Sequence, residues 1–246
     1  NADNVEIANS IIKNIWKASS NGIQVDDSID SNIHNNQISL FHKRGIRYVN
    51  SIGVFHDNEV TGESVNGVDR VQNLVTLWTG SNVEIYNNVL HNALTLVGST
   101  PLWDSPGVFV SSYYGGYADS GSSYANIYDN EIYNGDSGII VGSVYSTTDT
   151  SSADITNNNL HDLNWAINFE VERDDGSGLN EVSAVISGNT FTNNNYNIHH
   201  AANIDGTNNY YGGIQQTIDL ANPGDTINVG AGTYMENVIV SKSVML

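Results

Sequence analysis

The densest acidic cluster in the sequence is Glu170, Glu172, Asp174 and Asp175, with Arg173 among them. Asp26, Asp27 and Asp30 form a second cluster. Carboxylates gathered with backbone oxygens suit Ca²⁺, a hard cation that takes about six to eight oxygen ligands. Calcium is therefore the one cofactor the sequence admits, and none is required. No Asp-x-Asp-x-Asp-Gly loop accompanies the clusters, so a solvated acidic loop is the competing reading. A calcium-assisted lyase also needs an Arg or Lys base beside its metal. Arg47 and Arg173, with Glu170, are the weak catalytic candidates on that face, and no known catalytic motif surrounds them. A glycosidase would need two carboxylates at a set separation, which sequence does not fix. Trp78, Trp103, Tyr113 and Tyr114 beside Asp26 suit a sugar chain, with rings stacking on apolar sugar faces and the carboxylate bonding hydroxyls. The alternative is a solvated wall with incidental aromatics. His34, His56, His91 and His161 sit at different offsets in their segments, and His199 and His200 lie in a late strand, which favours surface and turn roles over a metal site.

These residues must be positioned by a repeat. Ile33-His-Asn-Asn36-Gln-Ile38, Phe55-His-Asp-Asn58-Glu-Val60 and Ile85-Tyr-Asn-Asn88-Val-Leu90 share the pattern apolar-x-x-Asn-x-apolar. Ile127 to Ile132, Ile155 to Leu160 and Ile186 to Phe191 repeat it around Asn130, Asn158 and Asn189. An earlier copy, Ile7 to Ile12, has Ser10 at the Asn position, and a displaced last copy runs from Ile204 to Tyr211. A second element follows each copy, plainest in Gly22-Ile-Gln-Val25, Gly45-Ile-Arg-Tyr48, Gly107-Val-Phe-Val110 and Gly138-Ile-Ile-Val141. Its alternation has period two, which marks a strand. Each unit therefore reads as two short strands joined by an Asn/Gly turn, followed by a connection of variable length. The outward row of the second strand is Gln24, Arg47, Thr76, Phe109, Ile140, Asn168 and His199, flanked by Asp26, Trp78, Ser111 and Glu170.

Repeats of this length with turn asparagines are the signature of a parallel β-helix. The missing fixed leucine spacing rejects leucine-rich repeats, and a sandwich need not carry one motif on every pass. About eight coils at about 4.8 Å per rung give a rod of roughly 40 Å. Asparagine tolerates left-handed backbone and bonds nearby main chain. Asn36, Asn58, Asn88, Asn130, Asn158 and Asn189 are thus predicted to stack as a structural ladder. The chain holds 36 Asn, and the ladder accounts for an excess that would otherwise hint at disorder.

These Asn-x-apolar motifs, from residue 7 to 211, resemble the right-handed parallel β-helix repeat proteins of the pectate-lyase-like superfamily. Asp205-Gly-Thr-Asn-Asn-Tyr-Tyr-Gly212 is similar to the turn closing many such arrays. The resemblance implies a right-handed parallel β-helix but no activity, because one fold hosts enzymes and inert adhesins alike. In character the chain is closest to adhesin-like repeat proteins of cell surfaces.

Residues 213–246 change character. Ile214, Ile218 and Ala221 fit a short amphipathic helix stopped by Pro223-Gly224, and two alternating strands follow. The stretch resembles the amino-terminal start of β-helix domains, although it stands at the opposite end. Two domains are expected: the repeats over 1–212, and a cap-like segment over 213–246. The segment either begins a next β-helix unit of a longer tandem protein or assembles subunits head to tail. The opening at Asn1, without initiator Met or signal peptide, reads as a processed chain or a fragment.

Eight Lys+Arg against 27 Asp+Glu give a net charge of −19, which argues against nucleic acid as a partner. No apolar run is long enough for a membrane span. The absence of cysteine excludes disulfide and thiolate chemistry. No Asn-x-Ser/Thr sequon occurs, so N-glycosylation is not expected. The expected function is an extracellular, cell-surface β-helix module with a structural or adhesin-like role. Its expected partners are a polysaccharide or surface glycan, and itself through residues 213–246 in filaments. The alternative is a polysaccharide lyase or other carbohydrate-active enzyme working on an outer face.

Overall fold

The computed structural model describes residues 3–17, 20–63, 72–94, 105–112, 121–144, 149–172, 182–204, 206–234 and 236–246, with the side chains of 143–144 and 171–172 outside that description. The chain winds as a parallel β-solenoid. On its first wall the strands Glu6–Ala8, Ser31–His34, Ile52–His56, Asn82–Tyr86, Ser123–Tyr128, Ser151–Thr156 and Val182–Ser187 stack in order. Every neighbouring pair is parallel. The register lines up Ile7, Ile33, Phe55, Ile85, Ile127, Ile155 and Ile186, one residue from each motif copy. Alternate side chains point inward, so this row lies in one continuous apolar core.

Among the described residues the coils run along three walls where the sequence reading has two strands per unit, and in two coils the second and third walls share one long strand. The motif breaks at its Asn, and its last residues form a short second strand such as Glu59–Thr61 or Val89–His91. The third wall comprises Asn21–Asp26, Arg44–Val49, Asn73–Trp78, Pro106–Ser111 and Tyr196–His199, together with the ends of the long strands Glu131–Val144 and Asn159–Glu172. The glycines that open several third-wall strands have a steric cause. A Cβ at Gly45 would lie 2.6 Å from the Leu74 carbonyl oxygen, and one at Gly138 would lie 2.5 Å from that of Ala166.

Among the described residues the first wall holds seven parallel strands, where about eight coils were expected. The displaced last motif copy adds no parallel rung. Its strand Asn209–Tyr211 returns antiparallel along Val182–Ser187, then pairs antiparallel with Ala202–Ile204. A turn with Thr207 N–H donating to the Ile204 carbonyl at 2.9 Å reverses the chain there. The helix Ile214–Leu220 forms, burying Gln216, Thr217 and Ile218. Ala202, Ile218, Ala221 and Ile227 make a small core separate from the solenoid's. Only one of the two expected late strands forms among the described residues, Ile227–Val229, which pairs with Ala202–Ile204. Both edges of Ala202–Ile204 are then occupied, leaving no edge there for the apolar run Val238–Val240. Among the described residues no helix is long and apolar enough to cross a membrane.

Candidate functional site

The corner between the first and second walls repeats one device. Asn35, Asp57, Asn87, Asp129 and Asn157 adopt left-handed backbone at φ between 53° and 58°, and Gly188 does so at 69°. Short polar residues and glycine tolerate that region, where a branched side chain would clash. The residue after each is a ladder asparagine. The Asn88 Oδ1 accepts the main-chain N–H of Asn58 at 3.0 Å and its Nδ2 at 3.1 Å. The Asn58 Nδ2 also donates to the carbonyls of Ile33 and His56. The same bonds link Asn36 to Asn58, Asn88 to Asn130, Asn130 to Asn158, and Asn158 to Asn189. Ser10 enters the first rung by donating its N–H to Asn36 Oδ1.

Two columns of rings run beside this corner. His34, His56, Tyr86 and Tyr128, each two residues before a ladder Asn, have centroids 4.9, 4.8 and 4.9 Å apart and planes within 12° of parallel. His91, Tyr133 and His161, each three residues after one, stack at 4.9 Å within 4°. The differing offsets that argued against a histidine cluster instead sort these residues onto two walls. Carboxylates line both columns. His34 pairs with Glu6 at 2.9 Å, His56 with Asp57 at 2.7 Å, and His161 with Asp162 at 2.8 Å. Hydrogen bonds from His161 and then Asn193 hold the Asp162 carboxyl below its usual range. Burial, then nearby carboxylates, raises Tyr86 and Tyr128. Tyr124 is pushed up to about 12 by burial and by donating its hydroxyl to Asp154 at 2.9 Å. Rings inside a stack present edges outward, since both faces are occupied, so the columns offer little ring face to a sugar.

The third wall aligns Gln24, Arg47, Thr76, Phe109, Ile140, Asn168 and His199 in one row by strand register. The five central residues of that row are buried, so they present little side-chain surface to solvent. Arg47 Nη2 lies 2.8 and 2.7 Å from the two oxygens of Asp26, and Gln24 donates to the same carboxylate. Trp78 is 7% exposed and carries the Arg44 guanidinium 4.2 Å above its ring, so its face is taken. Asp26 and Trp78 lie two rungs apart, about 10 Å. Glu170 accepts from Asn168 Nδ2 at 3.3 Å. It stands four rungs from Arg47, about 19 Å, so the two do not share one reacting bond. Trp103, Tyr113, Tyr114, Arg173, Asp174, Asp175 and the Glu172 side chain lie outside the described residues. Among the described residues no group of three or more acidic or histidine side chains converges to hold a metal ion.

The third wall ends in rings. His199 stacks on Trp165 at 5.4 Å, contacts Tyr196 at 5.0 Å, and lies 3.9 Å from His200. His200 meets the edge of Tyr234 at 6.0 Å. The Glu236 carboxylate accepts the N–H groups of Ile214 and Gln215 at 2.8 and 2.9 Å, capping the helix from a distance. Neither feature repeats, so no sequence period announces them; the adjacent His199 and His200 are the one local signal. No family model matches the chain, and no curated protein matches it.

Proposed function

We propose that the chain is an extracellular, surface-associated structural module of adhesin-like type that self-associates head to tail through residues 213–246. Its kinship, on this reading, is with the right-handed β-helix repeat proteins of the pectate-lyase-like superfamily. The observation that carries the proposal is the exposed apolar run Val238–Val240. It forms no strand, and Ile239 and Val240 are 68% and 51% exposed. Within the run the Ile239 N–H donates only to the Gln215 side chain, at 2.6 Å, and an exposed apolar run outside any strand invites pairing with a strand edge.

The partner surface on a second copy is the first coil. There Ile11 and Trp16 are exposed, and Glu6–Ala8 pairs on one side only among the described residues. Charge allows the same match. Residues 1–47 hold five of the eight Lys/Arg and five acids, whereas residues 48–246 hold the other 22 acids and three bases. The docking segment 213–246 holds Asp219, Asp225 and Glu236 against Lys242, so a neutral end meets a mildly acidic one and no like-charge repulsion opposes the contact. The acidity, scarce lysine and lack of cysteine support an external setting.

Sedimentation velocity over a concentration series tests the reading. The wild-type chain is expected to form growing oligomers, and the double variant Ile239→Asp, Val240→Asp to remain monomeric. A wild type that stays monomeric at every concentration sinks the proposal.

A further inference from the structure

The ring cluster at the end of the solenoid belongs to none of the repeat columns, and it touches the segment that covers that end. His200 takes a left-handed φ of 54°, which turns the chain out of the last third-wall strand. Its N–H donates to the Ala231 carbonyl at 3.0 Å, and Gly230 N–H donates to the Ala201 carbonyl at 2.7 Å. The Tyr234 hydroxyl lies 3.0 Å from the carbonyls of both Ala201 and Gly230. Gly232 lies directly on the His200 ring, where a Cβ would collide with the imidazole. Residues 230–234 are therefore seated on His200, and His200 on His199. Because the Asn168 Oδ1 at 3.1 Å can only accept, His199 donates to it from Nδ1.

We propose that the His199–His200 pair is an acid-operated latch: neutral imidazoles hold residues 230–234 on the last coil, and protonation releases them. Two imidazolium rings at 3.9 Å, wedged among Trp165, Tyr196 and Tyr234, would place like charges together in a half-buried site. The groups facing the pair are known on each side. On Asn159–Glu172 they are Trp165, Asn168 and, behind Asn168, the Glu170 carboxylate. On the pair's own strand the group is Tyr196, and on the seated segment it is Tyr234, with Glu236 behind it. The two carboxylates favour charged rings, but burial and the like neighbour prevail. His199 is pushed down to about 4 by burial first and His200 second, and burial lowers His200 as well.

The seated form thus binds protons less readily than the released form, whose imidazoles titrate near the ordinary value of about 6.5. Seating is at full strength above that pH. It weakens as pH falls from there toward about 4, where the seated His199 would itself protonate.

Hydrogen exchange on the full chain at high dilution, expressed as protection factors, reads the latch within one molecule and independently of self-association. Between about pH 7.5 and about pH 5, protection of residues 230–234 is expected to fall roughly ten- to thirty-fold, while the asparagine coils hold. The double variant His199→Gln, His200→Asn removes both titrations, and Asn accepts the left-handed backbone at residue 200. It should flatten the response. Should it unseat the segment already at neutral pH, His199→Gln alone must still diminish the acid response. Equal wild-type protection at both pH values, or an undiminished response in these variants, overturns the latch.

Discussion

The solenoid and the segment that covers its end face one problem, satisfying the backbone groups of stacked strands, and meet it differently. In the solenoid the coils from Asn36 to Asn158 supply the same parts: a left-handed corner residue, a buried asparagine and an inward apolar row. Each rung bonds only its neighbours, so stability accumulates as a sum of similar interfaces. At the end each part occurs once. One carboxylate caps the helix, one tyrosine pins the seated segment, and four residues form the buried centre of the small core. Redundancy protects a region from partial opening, whereas single contacts leave it free to open locally.

The ladder offers the sharpest way to break that contrast. Asn88→Ala removes the acceptor for two donors of Asn58 and the donor for the carbonyls of Phe55 and Tyr86, at a site 1% exposed. Buried groups left unbonded cost ~1–3 kcal/mol each, so a loss of ~3–5 kcal/mol is expected in urea unfolding. Asn189→Ala, at the half-buried last rung, should cost only ~1 kcal/mol. Equal losses at the two positions would mean that burial along the ladder does not set its strength.

The same contrast explains what the sequence makes legible. The motif shows itself because stacking demands like residues at like positions, and Ile33, Phe55 and Ile85 answer one another from coil to coil along one wall. The split of each motif into two strands is harder to see, because the break lies in the φ of residues such as Asp57, which also occur in ordinary turns. The ring columns escape notice since His56 and His91 differ in offset, and only the corner assigns them to separate walls. On the third wall the row from Gln24 to His199 follows from alternation, but its burial does not, because alternation within strands cannot tell what lies over them. The antiparallel return of Asn209–Tyr211 depends on which edges remain free once the coils are stacked, a property of the whole fold.

Glu236→Ala tests the single-contact side. It strips the acceptor from two N–H groups at the start of the Ile214–Leu220 helix, at a part-buried site where water meets some of the need. A loss of ~1–2 kcal/mol is expected, confined to the end segment. Hydrogen exchange should show the helix losing protection while the urea midpoint of the solenoid stays near that of the wild type. A solenoid midpoint displaced as far as by Asn88→Ala would make the two regions one cooperative unit.

The smallest effect belongs to the ring columns, which repeat like the ladder but stand half exposed. Tyr86→Leu keeps an apolar side chain and removes the stacking with His56 and Tyr128. Stacked pairs contribute ~0.5–1.5 kcal/mol beyond area, and partial exposure places this site near the lower figure. A double-mutant cycle with Tyr128→Leu separates stacking from lost surface, because only stacking produces a coupling term between the two positions. A coupling of ~0.5 kcal/mol would rank the columns as a second, weaker ladder along the same corner. A coupling of zero would make the parallel rings a consequence of strand register alone, leaving the buried amides as the repeat that holds the coils together.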